Sequence, residues 1–384
     1  MPSKILTTTV EKPALSPALE ATGKRVLFYV AGLMIFILAL LLGAGADYFF
    51  TYHSHLVYWL SGHSQVYVTD PDGLYNPPWL LWLLTPFTFL PQAWELPLFQ
   101  LALAFSMVAI LDLITANLSG YTKLLSMLLG LVNFIVFDLV NRGQIDTLPL
   151  FGAVLFLVGR QHWLKAGLGY TLLAIKPPNT LPLMAFFFVR DWTTKSPREA
   201  LKGLIIPTEV LALSFLIHGW WPVYLYQAAL QKPPYDTWRT TIWRAADVLQ
   251  LGPVIPSIFC LVVLGATGWF WRYADNQTKK IALLVPATFL VTPYALSYHY
   301  VLVLALVLPS LLAWKKWVGV GLYLLTFLPV VRIFLGTEHA YIDILFILGC
   351  YVAVAAWLRA TSPTRTKISE VVAVPLPEEL AQIK

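Results

Sequence analysis

From residue 26 to residue 358 the chain alternates apolar runs with short polar breaks, and the middle of most runs carries no charge. That pattern constrains the fold more than any other feature of the sequence. Such runs cannot face water, and at ~20 residues per full crossing they read as membrane-spanning helices. Composition agrees where the argument needs it. Only 12% of the residues are charged, about half the ~25% of an ordinary soluble domain. With 15 Trp, 18 Tyr and 22 Phe added, no plausible water-facing surface is left. The expected fold is all-α: a polytopic transmembrane helical bundle of about eleven to thirteen spans, half-length helices included. The 27 prolines point to broken helices around an internal cavity. Lipid tolerates proline only where neighbours or a cavity re-satisfy the freed backbone groups.

The net charge of +6 raises a nucleic-acid partner, but the distribution argues against one. Basic residues sit in short clusters between apolar runs, as topology signals do. Cys260 and Cys350 both lie inside apolar runs and read as small hydrophobes rather than a disulfide or metal pair. Residues 1–24 read as a cytoplasmic tail with no cleavable signal peptide, since the first apolar run follows Lys24 and Arg25. Residues 25–358 form one transmembrane domain, and 359–384 a second cytoplasmic tail.

Within that domain the first span covers 26–45, followed by a polar, aromatic outer loop at 46–76 holding His53, His55, His63, Asp70 and Asp72. A short interfacial helix is expected at 52–60. Spans follow at 77–90 and 94–116, and 123–140 is expected as two half-helices broken near Asn133. The run 145–158 leads to an inside loop with Arg160 and Lys165. Short segments at 168–175 and 181–189 flank Lys176-Pro177-Pro178-Asn179, where proline disfavours helical geometry for Lys176. Arg190, Lys195, Arg198 and Lys202 mark another inside loop, and 204–217 leads to a second outer segment at 218–252. Spans at 254–271, 281–295, 299–313, 317–334 and 341–358 complete the path, with Arg272, Lys279 and Lys280 inside. No repeat period is visible.

Five polar places interrupt this apolar background. Asp47 stands at the outer end of the first span, either as a general base at the water–lipid boundary or as a helix-end carboxylate solvated by headgroup water. Tyr75-Asn76-Pro77-Pro78-Trp79 opens the second span, and as structure alone says only that a helix begins there. Asn141-Arg142-Gly143-Gln144-Ile145-Asp146 is a polar break whose two amides suit sugar hydroxyls, though loops are polar in any case. Lys176 is a cation for a phosphate, next to exposed N–H groups of a helix start, or a lysine snorkelling to headgroups. Pro293–Tyr300 forms a polar aromatic break with His299 on the same side as Asp47. Arg239, Arg244, Arg332 and His339 fall on that side too.

Taken together these features resemble the C-type glycosyltransferase superfamily, with glycosyltransferase family 87 the nearest match. The features that carry the resemblance are Asp47, Gly62, Tyr67, Tyr75-Asn76-Pro77-Pro78, the Asn141–Asp146 break and Ile175-Lys176-Pro177, in the family's order over about 26–190. The later half matches by span layout and by the segment 297–299. The resemblance implies a sugar transferase, mannose by family default, using a polyprenyl-phosphate-linked donor and a lipid or glycan acceptor at the outer face of the cell membrane. It also implies a cavity open to that face. It assigns Asp47 as the base on the acceptor hydroxyl and His299 as the histidine near it. Arg142 beside Gly143-Gln144 departs from the family pattern, and no second acid follows Asp47, which makes a metal-dependent site less expected.

The chemistry fits a donor that diffuses in the bilayer with its phosphate at headgroup level. A carboxylate base and cations at the leaving phosphate then suffice, with inversion at the anomeric carbon and no cofactor. Lys176, Arg239 and Arg244 are the candidate phosphate cations; Tyr75, Asn141, Gln144 and Asp146 are candidates for sugar and acceptor. Rival readings are a secondary transporter, which favours a midplane site and repeat symmetry, and a membrane scaffold without chemistry.

Overall fold

The computed structural model describes residues 17–43, 45, 47–67, 74–118, 120–158, 162–230 and 236–362. The tail expectations for 1–16 and 363–384 lie outside these residues, as do Asp70, Asp72 and Arg160. The described residues are helices and turns, with no strand among them. The first helix runs Pro17–Leu42, so it begins inside the stretch expected as a tail.

Among the described residues, four helices are long and apolar enough to cross a membrane alone: Gln92–Ile114, Pro197–His218, Val254–Trp271 and Glu338–Ala360. Two bent pairs raise the number to six, and Val26–Leu42, Trp79–Thr88 and Thr147–Val158 are shorter apolar helices. Short helices account for the difference from about eleven to thirteen runs, since a full crossing needs ~20 residues. Burial sorts the long helices. Gln92–Ile114 and Glu338–Ala360 are 44% buried and run through the core, whereas Pro197–His218 and Val254–Trp271 are 17% buried. Their exposed Leu216, Leu261 and Val262 then need lipid as solvent.

The breaks in the helices position the polar groups. Gly120–Leu131 and Phe134–Arg142 meet at a 46° bend on Asn133. Extended there, Asn133 accepts from the Val136 N–H through its side chain and donates from Nδ2 to the carbonyls of Leu129 and Gly130. One amide thus serves both helix ends, which is why the break falls where it does. Phe134–Arg142 stops at Gly143, whose φ of 70° is left-handed. A Cβ there would also sit 2.8 Å from Tyr48 Cβ, so glycine is required twice over.

At the next break the sequence expectation needs correcting. Pro177 and Pro178 begin an 18-residue helix, Pro177–Thr194, rather than leaving a short one at 181–189. A proline at the first helical positions removes an N–H that no helix would satisfy. The preceding Trp163–Leu173 is short, and Lys176 stands non-helical between the two. The final break, after Val291, leads through the turn Ser297–Tyr300 into Val301–Leu306 and Leu308–Trp314, bent by 43°. The two segments expected as outer loops carry structure of their own. Tyr48–His53 is a π-helical turn continued by Ser54–Leu60, and 218–252 holds Trp221–Leu230 and Ile242–Val248.

Candidate functional site

These breaks converge on one cavity of about 860 Å³, within the ~300–1,000 Å³ typical of ligand sites. Asp47, Gln144, Lys176 and His299 all line it. Asp47 is placed by the backbone on either side. Gly45 donates its N–H to the Asn141 carbonyl at 2.8 Å, and Asp47 itself precedes the π-helical turn.

A continuous polar chain runs inward from Asp47. Its Oδ2 accepts from Gln144 Nε2 at 2.7 Å. Gln144 Oε1 accepts from the Tyr52 hydroxyl at 2.9 Å and from Lys176 Nζ at 3.3 Å, so the amide is oriented from both ends. Lys176 also donates to Asp146 Oδ2 at 2.6 Å and lies 3.1 Å from His299 Nε2. The other ring nitrogen of His299 accepts from the Leu296 N–H at 3.1 Å. Asp146, Lys176 and His299 are buried, whereas the Asp47 side chain is 22% exposed and therefore reachable from the cavity. Burial pushes the Asp47 carboxyl above its ordinary range, while the Arg142 cation and the Gln144 hydrogen bond pull it back.

Cations line the same space. Arg142 binds Asp138 at 2.7 Å, lies 3.8 Å from Asp47 Oδ2 and sits over the Trp238 ring at 4.6 Å. The Ser297 hydroxyl donates to the other Asp138 oxygen at 3.0 Å. Arg239 is held by the Pro293 carbonyl and Asp247, and Arg332 by Asp343 at 3.0 Å. Tyr75 lines the cavity, and its neighbour Asn76 donates to the Ile175 carbonyl at 3.0 Å. That bond ties the Tyr75–Pro78 motif to the break at Lys176.

Not every anticipated residue reaches the cavity. Asp146 is paired with Lys176 at 2.6 Å and is absent from the described lining residues. Asn141 works through its main chain, its carbonyl taking the Gly45 N–H and Gln100 Nε2. Arg244 and His339 are absent from the described lining residues. Asp138, Tyr52 and Trp238 do line it without having been singled out as site residues, and Tyr298 lines it from the anticipated Pro293–Tyr300 break. Asp138 and Arg142 carried a signal, since opposite charges four residues apart face one another on a helix.

A family model described as Glycosyltransferase family 87 matches residues 74–293. The matched stretch contains Tyr75, Gln144, Lys176 and Arg239; Asp47 and His299 fall on either side of it. No curated protein and no solved structure matches the chain.

Proposed function

This chain belongs to glycosyltransferase family 87 and is a multi-pass membrane glycosyltransferase; from that premise we propose that it moves a hexose from a polyprenyl-phosphate donor to a lipid or glycan acceptor. Mannose is the first candidate sugar, and the outer face of the cell membrane the proposed location. The family match sets aside the transporter and scaffold readings.

One observation carries the proposal: a reachable carboxylate, Asp47, held by an oriented amide in a cavity that arginines also line. In the reaction Asp47 takes the acceptor's hydroxyl proton. The acceptor oxygen bonds to the anomeric carbon from the face opposite the phosphate. The bond from that carbon to the phosphate oxygen breaks, and polyprenyl phosphate leaves with the electron pair. One displacement inverts the anomeric centre and needs no metal. General-base help of this kind contributes about 10²–10⁴-fold.

Arg239 and Arg332 suit the departing phosphate, since both line the cavity and each is braced by an aspartate. Lys176 has three N–H groups and three protein partners, so a phosphate would have to displace one of them. Gln144 and Tyr75 suit sugar hydroxyls. Arg244, away from the lining, has no part in the scheme.

The test supplies membranes containing the chain with labelled polyprenyl-phosphate mannose, and separately with the glucose analogue, and follows label into glycolipids and glycans. Transfer that falls about 10²–10⁴-fold in Asp47→Asn at equal membrane abundance is the expected result. Undiminished transfer by that variant removes Asp47 as base.

A further inference from the structure

Glu95 lies in the first turn of the Gln92–Ile114 helix, is buried, and is not used by the transfer scheme. Its Oε1 accepts from the Tyr48 hydroxyl at 2.7 Å and lies 2.7 Å from His53 Nδ1. Those two residues are the first and last of the π-helical turn that follows Asp47. In an α-helix, residues three and four apart share a face and residues five apart do not. The wider π turn, closed here by the Ser54 N–H on the Phe49 carbonyl, brings positions five apart together. One carboxyl oxygen therefore grips the turn at both ends.

The same turn carries Tyr52, whose hydroxyl orients the Gln144 amide, and that amide holds Asp47 Oδ2. Tyr48 is further pinned by its close approach to Gly143, directly before Gln144. The register of the turn thus sets both the backbone next to Asp47 and the direction of its hydrogen-bond partner. Relaxation to an α-helical register would rotate Tyr52 away from Gln144 and release the amide.

We propose that Glu95 is a positioning residue for transfer, holding Tyr48 and His53 together so that the π turn aims Asp47 into the cavity. This rests on Asp47 as the base. Glu95→Leu keeps a similar volume and removes both contacts. With labelled polyprenyl-phosphate mannose it should lower kcat about 10- to 100-fold and leave KM for the donor within about twofold. Glu95→Gln, which retains an acceptor oxygen, recovers part of that rate.

Two readouts separate positioning from general structural damage. In an Asp47→Asn background the Glu95→Leu change should reduce residual transfer little further, because both act on one group. Backbone hydrogen exchange over 48–54 should also quicken in Glu95→Leu without substrate. Should Glu95→Leu fail to fold in detergent, Tyr48→Phe takes the same tests with a smaller fall expected. Wild-type kcat, losses that multiply in the double variant, or unchanged exchange each overturn the brace. Full transfer by Asp47→Asn overturns the base reading instead, and the exchange measurement still decides the brace.

Discussion

At the cavity end of the bundle Lys176, Asp146 and His299 are buried and answer one another, Lys176 to Asp146 at 2.6 Å and to His299 at 3.1 Å. At the far end of the helices that leave the cavity, Arg272, Lys315 and Lys316 are exposed, and each lies against an aromatic ring. Arg272 sits 3.2 Å from the Trp269 ring centre, Lys315 5.0 Å from Trp314 and Lys316 4.9 Å from Tyr121. Gln277–Val291 joins the two ends, running from the Lys279–Asp275 pair to the Pro293–Tyr300 break. The same residue types therefore occupy two environments. Aromatic-backed cations suit a membrane boundary, where an apolar stem can bury while the charge stays wet. Buried charges are tolerable only when each has a partner, and removing one partner strands the other. The cavity end accepts that cost, which is expected where a charge must be held in one place for chemistry.

The largest effect in this contrast should come from Lys176→Met, which leaves Asp146 buried without its cation. Loss of one member of a buried pair costs about 3–5 kcal/mol, read as a lowered midpoint of thermal unfolding in detergent. Combining it with Asp146→Asn should restore most of the loss. A single variant as stable as the double would break the distinction between the two ends.

A smaller and directional effect concerns pH. Burial raises the Asp47 carboxyl, and a base works only when ionised. Transfer should therefore be present at neutral pH and fall away as the medium is acidified, at a midpoint above the ~4 of an ordinary carboxylate. Arg142 favours the ionised form, so Arg142→Ala should move that acid limb to still higher pH. A kcat/KM profile whose limb stays in place or moves down contradicts the assignment.

The smallest effect is expected at the far end. Lys315→Ala should change transfer and thermal midpoint little, within about 0.5 kcal/mol. A large loss there would mean that the aromatic-backed cations do more than anchor.

The sequence by itself determined that the chain is a helical membrane protein, because apolar length and sparse charge leave lipid as the only solvent. It also marked the breaks at Asn133 and Lys176, though not the 43° bend at Val307 inside the expected span 299–313. Asn133 can cap two helix ends, and Pro177 and Pro178 lack N–H groups, whatever surrounds them. The convergence of Asp47, Gln144, Lys176 and His299 was legible because each lies at such a break on the same side of the path. Tertiary structure alone decided which way each group faces. Asp146 paired with Lys176, Asn141 offered its carbonyl, and Arg332 reached the cavity while Arg244 did not. Glu95 met Tyr48 and His53 across more than forty residues of chain. Local pattern fixes a residue's position along a helix, whereas its rotation and partners are set by how separate helices pack. That packing is a balance among distant contacts that no short stretch of sequence contains.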